Sequence, residues 1–266
     1  MQKFNYHTHT YRCKHSDPTL SDEEYVQLFI KKGFKKICFT DHCPYKVQID
    51  ARNNMRMDYS QKEDYYQSIM ELKEKYKNKI EIELGFEVEY VPGFKGYLQE
   101  LKKETDKLIL GQHFVFDKNE NVKLIGWGVT SDDDLLNYAR YIEKAMENHI
   151  PNLIAHPDLF MLGKDNFGGV EEEVSHIICK AAEKYQIPLE INLTRACMFL
   201  VGMTRKIEYP NRRFWEIASS YNVKVIYGVD AHFREQIENY EKCIDIVNEH
   251  IGIKTIDKLH FVGENL

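Results

Sequence analysis

The sequence predicts an α/β protein in which parallel strands alternate with helices. Short apolar and β-branched runs recur along the 266 residues, and a longer amphipathic segment follows each of them. This alternation is typical of parallel strands joined by helical crossovers. Several runs, such as Leu108–Leu110 and Val225–Tyr227, are continuously apolar, which indicates strands that are buried on both faces.

Seven strand–helix units follow one another. The predicted strands are Lys3–Thr8, Lys36–Thr40, Lys79–Val88, Lys107–Leu110, Asn152–Ala155, Pro188–Asn192 and Lys224–Tyr227. The predicted helices are Ser21–Lys32, Ser60–Lys77, a segment within Gly93–Lys103, Ser131–Asn148, Val170–Tyr185, Asn211–Tyr221 and Glu235–His250. After them, Leu259–Val262 is either an eighth strand or a docked C-terminal segment.

Local signals support the first two helices. Ser21 with Glu24, and Ser60 with Glu63, have the spacing of capping boxes, and Gly33 marks the end of the first helix. One face of the second helix carries four large apolar or aromatic side chains, namely Tyr65, Ile69, Leu72 and Tyr76.

Seven or eight such units can form a closed barrel or an open doubly wound sheet. We expect the open sheet to have a glycine-rich phosphate loop after its first strand, where this chain has HTHTYRCKH, so we favour a barrel. No linker rich in proline, glycine or serine, no charge block and no repeat divides the sequence. We therefore expect a single domain over residues 1–266.

Composition excludes several protein classes. With 36 Lys and Arg against 42 Asp and Glu, the net charge of −6 does not match the basic surface of a dedicated nucleic-acid-binding protein. Six scattered cysteines form no CxxC pair, and no signal peptide or membrane-spanning run is evident. We expect a cytoplasmic protein with reduced thiols and with neither a nucleic-acid nor a membrane partner. The oligomeric state stays open.

Histidines and acids collect at the carboxyl ends of the predicted strands. Seven of the eleven histidines lie there: His7, His9, His15, His42, His113, His156 and His232. Glu87 and Glu89 lie in the third strand, and Asp230 follows the seventh. Residues i and i+2 of a strand face the same side, so the paired residues of HTH and of DAH can each converge.

Parallel α/β folds form their sites beyond the carboxyl ends of the strands. Imidazoles and carboxylates that meet there form a nitrogen and oxygen cage suited to divalent zinc, manganese or iron. Nine or more candidate donors exceed what one ion needs. The sequence therefore predicts two or three divalent metal ions.

Six motifs carry a resemblance to a known family. They are HTHT at 7–10, FTDH at 39–42, GFEVEY at 85–90, GQH at 111–113, AHPD at 155–158 and GVDAH at 228–232. With these motifs in this order, the whole chain resembles the polymerase and histidinol phosphatase (PHP) superfamily, and within it the stand-alone histidinol-phosphatases. The resemblance implies a distorted (β/α)7 TIM-like barrel with its metal site at the C-terminal ends of the strands. It also implies a cytoplasmic enzyme of histidine biosynthesis that hydrolyses L-histidinol phosphate to L-histidinol and phosphate.

The resemblance further implies a ligand set for three ions. One ion would take His7, His9, Glu87 and Asp230. A second would take His15, His42 and His232, and a third would take His113 and His156, with Glu87 bridging to the first ion. Glu89 shares a strand face with Glu87 and is the alternative bridge. A hydroxide held between two ions would attack phosphorus, because metal binding can lower the pKa of water to about 7.

Other residues are candidates for contact with substrate. Arg195, just past the sixth strand, is the predicted phosphate-binding cation, since a guanidinium suits two-pronged contact with phosphate. Asp17 and Asp158 could orient metal-bound histidines, donate a proton to the leaving alcohol, or only cap their loops. Residues 114–130 could form a wall or lid, whose Glu120 could receive the ammonium group of the substrate.

Three other functions are open at this point. A PHP-type phosphodiesterase or exonuclease, or a phosphatase for another small phosphorylated metabolite, would use the same metals, although the net charge disfavours nucleic acid. An amidohydrolase also combines HxH with later histidines and an aspartate, but Glu87 and the DH pair at 41–42 fit it less well. A metal-binding module without activity would not need seven convergent imidazoles.

Overall fold

The computed structural model describes residues 1–47, 49 and 55–264. Its strands are β1 Phe4–Asn5, β2 Lys36–Phe39, β3 Glu81–Val88, β4 Lys107–Leu110, β5 Phe114–Phe116, β6 Val122–Leu124, β7 Leu153–Ile154, β8 Leu189–Asn192, β9 Lys224–Gly228 and β10 His260–Phe261. Eight of them form one parallel sheet in the order β1-β2-β3-β4-β7-β8-β9-β10, while β5 and β6 form an antiparallel hairpin. All seven predicted strands are confirmed, and the C-terminal segment is an eighth.

Helices follow the strands as the alternation predicts. They are α1 Asp22–Lys31, α2 Lys62–Tyr76, α3 Lys95–Glu104, α4 Asp132–Glu147, α5 Gly169–Tyr185, α6 Thr194–Leu200, α7 Arg212–Ala218, α8 Arg234–Glu238, α9 Tyr240–Ile251 and α10 Ile253–Ile256. The predicted last helix is in fact two, because the chain turns at Asn239 between α8 and α9. Among the described residues, no helix is long and apolar enough to cross a membrane.

One of the two predicted capping boxes is present at the start of its helix. Ser21 caps α1 as predicted: its backbone N–H donates to the Glu24 carboxylate at 2.8 Å, and the Glu24 N–H donates back to the Ser21 hydroxyl at 3.3 Å. The cap predicted at Ser60 is wrong. A 3-10 turn precedes α2, and the side chain of Gln61 accepts the N–H of Asp58 at 2.9 Å. The capping contact therefore lies two residues earlier than predicted.

The sheet curls until β1 approaches β9, as expected for a distorted TIM-like barrel. At the carboxyl end, the N–H of His9 donates to the carbonyl of Ala231 at 2.9 Å. At the amino end of β1, the side chain of Gln2 links the two strands and donates to the carbonyl of Tyr227 at 2.6 Å. Strand β10 pairs with the amino end of β9. The barrel is therefore closed by backbone contacts at the end where the histidines lie. The single-domain organisation stays a prediction.

Two apolar layers hold the barrel together. The outer layer packs the helices against the sheet. The inner layer comes from alternate strand positions and fills the lower barrel with Phe4, Tyr6, Cys38, Ile109, Leu153, Ala155 and Ile226. Beyond this layer, at the carboxyl end of the strands, polar side chains occupy the interior of the barrel.

Candidate metal centre

The nine predicted metal ligands meet at the carboxyl end of the barrel. Eight of them are buried, and His15 is exposed at the edge of the group. The imidazole ring of His232 lies 4.1 Å from that of His9 and 4.4 Å from that of His15, measured between centroids. Across the group, the rings of His113 and His156 are 5.0 Å apart. The structure thus brings together every residue of the predicted set.

Glu87 of β3 lies at the centre of this group. Its Oε2 is 2.9 Å from His42 Nδ1 and 3.5 Å from Nε2 of both His7 and His9. Its Oε1 is 3.0 Å from His156 Nε2. One carboxylate therefore reaches imidazoles that come from three different strand ends, as a bridging ligand must.

Asp230 faces the same centre from the end of β9. Its Oδ1 is 3.2 Å from His7 Nε2 and 3.3 Å from His9 Nε2. Its Oδ2 accepts hydrogen bonds from Asn192 Nδ2 at 3.2 Å and from Thr194 Oγ1 at 3.0 Å. The backbone of Asp230 has φ of 49°, a left-handed conformation that costs free energy in a non-glycine residue.

Glu89, the alternative bridge, is directed elsewhere. Its two carboxylate oxygens each lie 3.0 Å from a terminal nitrogen of Arg56, and its Oε1 is 3.2 Å from His113 Nδ1. Burial alone would raise the pKa of Glu89, but the Arg56 guanidinium holds it below its usual value. Glu89 is thus paired with Arg56 and His113, while Glu87 lies among the other imidazoles.

The pKa shifts of the centre differ from one histidine to the next. Burial lowers the pKa of His9 to about 3 and that of His42 well below its usual value. Burial also disfavours protonation of His7 and His156, but the carboxylates of Asp230, Glu190 and Glu87 raise the pKa of His7 well above its usual value, and Glu87 raises that of His156. Burial opposes ionisation of Glu87 and Asp230, but the surrounding imidazoles hold both carboxyl pKa values well below their usual range. Neutral imidazole and ionised carboxylate are the forms that coordinate metals.

Buried donor atoms without partners identify what the centre can hold. Among the described residues, no hydrogen-bond partner is found for Nε2 of His7, His9 and His232, for Glu87 Oε2 or for Asp230 Oδ1. Leaving one such atom unsatisfied costs about 1–3 kcal/mol, so a cluster of them indicates a ligand. Nitrogen and carboxylate oxygen are the donors of divalent zinc, manganese and iron. The residues present therefore fit divalent metal ions.

Five groups of donors among the described residues have the compactness that a metal requires. In each group the ligand atoms lie within 4.8 Å of one another. Three of the groups are His7 with His9 and Asp230, His9 with His42 and His232, and His7 with Glu87 and His156. The other two are His9 with Cys13 and Asp41, and His42 with Glu89 and His113. The groups overlap in His7, His9 and His42, which indicates one cluster with several adjoining sites.

A cavity of about 890 Å³ opens above the centre. Arg195, from the first turn of α6, lines it, and its Nε donates to Glu208 Oε2 at 2.9 Å. Trp127, Met198 and Phe233 add apolar and aromatic surface to the same walls. The cavity thus combines a cation, an apolar wall and the donor cluster.

One predicted catalytic residue, Asp17, and one predicted substrate-binding residue, Glu120, lie away from this cavity. In the part of the chain that the structure describes, neither Asp17 nor Glu120 lines it. The carboxylate of Asp17 accepts the backbone N–H and the hydroxyl of Thr19 at 2.8 and 2.6 Å, which is a loop-capping contact. Glu120 is exposed in the turn of the β5–β6 hairpin. Trp127 of the predicted wall lines the cavity, but Glu120, the acid in the same segment, does not.

Asp158 is not among the residues that line the cavity, and its contacts support the fold. It is fully buried, and its Oδ2 accepts the N–H of Asn211 at 2.6 Å and the indole N–H of Trp215 at 3.1 Å. Burial raises its pKa to about 7. Of the roles weighed from the sequence, these contacts favour capping, because they fix the start of α7.

Glu190 is a residue of the site that was not among the predicted ones. This residue of β8 is fully buried, and its Oε1 lies 2.8 Å from His7 Nδ1. A signal was present, since a charged residue inside a buried strand, two positions before Asn192 on the same face, has to meet a polar partner.

Comparison with known proteins agrees with the geometry. The pattern of the PHP domain family matches residues 5–194 of the chain. The chain belongs to the PHP domain family. Within curated proteins, the PHP chain is 32% identical over 123 residues to the histidinol-phosphatase of Bacillus subtilis, and 26% identical over 163 residues to a probable histidinol-phosphatase of Deinococcus radiodurans. These matches cover 43% and 58% of the chain, and they span 45% and 59% of the relatives' lengths.

A solved structure shares the fold over nearly the whole chain. It is the histidinol phosphate phosphatase of Lactococcus lactis subsp. lactis in complex with zinc, L-histidinol and phosphate. The two structures superpose with a TM-score of 0.68, at 18% identity, over 98% of this chain and 95% of the other. The PHP barrel is thus shared at low sequence identity.

Proposed function

We propose that this PHP-domain protein is a metal-dependent phosphomonoesterase that hydrolyses L-histidinol phosphate to L-histidinol and phosphate. The observation that carries the proposal is the cluster of buried, unpartnered metal donors beneath a cavity lined by Arg195. The two curated relatives named as histidinol-phosphatases, and the histidinol and phosphate bound in the related structure, support the choice of substrate.

The proposed centre holds two or three divalent ions, of zinc, manganese or iron. His7, His9, Glu87 and Asp230 would hold the first. His15, His42 and His232 would hold the second, and His113 and His156 the third, with Glu87 shared. When bound, such ions lower the pKa of a coordinated water and offset charge on the phosphoryl oxygens. The compact group of His7, His9 and Asp230 supports the first of these sites.

Arg195 would orient the phosphoryl group. Glu208 holds its Nε, and its Nη2 donates to Thr204 Oγ1 at 3.0 Å, so the guanidinium plane is fixed. Its Nη1 faces the sulfur of Met198 at 3.6 Å, a weak acceptor that a phosphoryl oxygen can replace with a stronger, charge-assisted hydrogen bond. Arg195 therefore has a donor available at the cavity surface.

The ammonium group of the substrate needs a carboxylate in the cavity wall. Glu120 lies outside the wall, and Glu208 is already paired with Arg195. Glu235, in the first turn of α8, lines the cavity, and its carboxylate has no hydrogen-bond or ion-pair partner among the described residues. We therefore assign recognition of the ammonium group to Glu235, in place of the Glu120 assignment.

A phosphate-release assay tests the proposed function. Protein stripped with a chelator is reloaded with zinc, manganese or iron and offered L-histidinol phosphate, other phosphorylated metabolites, an aryl phosphate and a single-stranded oligonucleotide. We expect release from L-histidinol phosphate to exceed that from the aryl phosphate by roughly tenfold or more, because the charged contact at Glu235 is made only with the amine. Equal rates would contradict the substrate assignment, and degradation of the oligonucleotide at a comparable rate would favour an exonuclease.

A His9→Ala variant separates an enzyme from a metal-binding module. We expect it to stay folded and to lose turnover, because it removes a donor that faces both Glu87 and Asp230. Turnover that survives this substitution in a folded protein would place the activity outside the proposed centre.

A further inference from the structure

Strand β8 supplies no ligand to the proposed centre, yet its side chains reach ligands on three other strands. We infer that Glu190 of β8 is a positioning residue, which fixes His7 and His156 in the orientations that bind metal. The inference rests on the metal centre proposed above. It concerns a residue that contacts the ligands and not the ions.

The contact with His7 sets the tautomer of that ring. His7 Nδ1 lies 2.8 Å from Glu190 Oε1 and 3.1 Å from Oε2, and both residues are fully buried. A carboxylate at this distance keeps the proton on Nδ1, so the lone pair of the ring is on Nε2. Nε2 is the atom that faces Glu87 and Asp230.

The other oxygen of Glu190 supports the backbone of His156. Oε2 accepts the His156 N–H at 3.0 Å and a hydrogen from Asn192 Nδ2 at 2.9 Å. His156 has φ of 29°, a left-handed conformation that the surroundings have to stabilise. One carboxylate thus orients two ligands that are assigned to different ions.

Further side chains continue the network towards Asp230. Asn192 Nδ2 also lies 3.2 Å from Asp230 Oδ2, and Thr194 Oγ1 donates to the same oxygen at 3.0 Å. Gln236 donates to the carbonyl of Asp230 at 2.7 Å. Because these bonds hold Oδ2 and the main chain, Oδ1 is left facing the centre.

Gly228 of β9 shows that the fold reserves space for this carboxylate. A Cβ atom at Gly228 would lie 1.7 Å from Glu190 Oε1 and 2.6 Å from its Cγ. No side chain larger than a hydrogen fits beside Glu190 without displacing it. The glycine is independent evidence, since it lies on another strand and donates nothing to the network from a side chain.

A Glu190→Gln variant tests the inference through zinc affinity. Glutamine keeps the size of the side chain but offers one acceptor oxygen where donors from His7, His156 and Asn192 converge. We expect zinc affinity, measured by competition with a chelator, to fall by about 10- to 100-fold. The metal content of the purified protein, by elemental analysis, is expected to fall with it.

Glu83→Gln is the matched control. Glu83 is also a buried carboxylate in a strand, and it pairs with Lys36 at 2.9 Å in the lower part of the barrel. We expect this variant to lose stability without losing zinc affinity. A loss of affinity shared by both variants would mean that Glu190 acts only through general stability, and would overturn the inference.

Folded protein with wild-type zinc affinity after Glu190→Gln would also overturn the inference. If circular dichroism shows that this variant does not fold, Glu190→Asp takes its place, because it keeps the charge but withdraws the carboxylate from His7. Wild-type affinity in folded Glu190→Asp would then be the contrary result. Substrate is absent from these measurements, so wild-type protein that binds zinc but releases no phosphate would contradict the proposed function alone.

Discussion

Replacing Gly111 by alanine should remove metal from the proposed centre and leave the barrel folded. A Cβ atom on Gly111 would lie 1.7 Å from Glu87 Oε1 and 2.5 Å from its Cδ. Ordinary van der Waals contact begins at 3.4 Å, so the carboxylate oxygen has to retreat by roughly 1.7 Å. Gly111 follows β4 directly, and its lack of a side chain is what allows Glu87 to reach the centre.

The direction of that retreat sets the size of the effect. Glu87 already lies 2.9 Å from His42 and 3.0 Å from His156, so it cannot move further into the cluster. It has to leave the bridging position. Misplacement of a reacting group by about 1 Å can cost about 100-fold in rate, so we expect a loss of at least about 100-fold in kcat/KM. The metal-free fold should lose about 1–3 kcal/mol of stability, as other overpacked sites do.

The assay compares three proteins: wild type, Gly111→Ala and Gly96→Ala. Gly96 lies within α3, and nothing lies within 4 Å of a Cβ built on it. The control therefore adds the same methyl group without a clash, and helix propensity predicts a gain of up to about 1 kcal/mol. Metal content, phosphate release and thermal unfolding of the metal-free protein are measured for each.

Retention of metal and rate would refute this reasoning. If folded Gly111→Ala binds metal with wild-type stoichiometry and keeps its kcat/KM, Glu87 is not the central ligand. If Gly96→Ala also loses metal, the loss arises during preparation of the protein and not from the geometry of the centre.

Three further predictions concern the cavity and the metals. Glu235→Gln should lower kcat/KM for L-histidinol phosphate by roughly tenfold or more, through loss of a charged hydrogen bond, and leave the analogue without the amine unaffected; equal effects on both substrates would contradict the assignment. Arg195→Gln should lower kcat/KM for both substrates by about 100-fold, since a donor to the phosphoryl group is lost and Glu208 is left unpaired; unchanged kinetics would remove Arg195 from phosphate binding. Chelation should lower the melting temperature, and saturation with zinc to about 100 times its Kd should restore about 2.7 kcal/mol of stability; a melting temperature independent of metal would contradict the proposed centre.

Sequence patterns were sufficient to predict the fold class and the side chains that gather at the barrel end. Parallel strands give a repeating pattern in the sequence, because each strand is an apolar run that an amphipathic helix follows. Their carboxyl ends must meet at one end of the barrel, so His7, His42, His113, His156 and His232 could be placed together without knowledge of any contact. The β5–β6 hairpin and the short helices α6 and α10 left no comparable periodic signal, because each covers too few residues.

Tertiary structure decided what each acid does. Glu87 and Glu89 share a strand face, yet Glu89 is held by Arg56, which lies 33 residues earlier. Asp158 bonds to Trp215, 57 residues later, and Glu190 bonds to His7, 183 residues earlier. The sequence alone determined which side chains gather at the barrel end, since strand periodicity and chain direction are local properties. The role of a carboxylate depends instead on partners that only the folded chain brings within hydrogen-bonding distance.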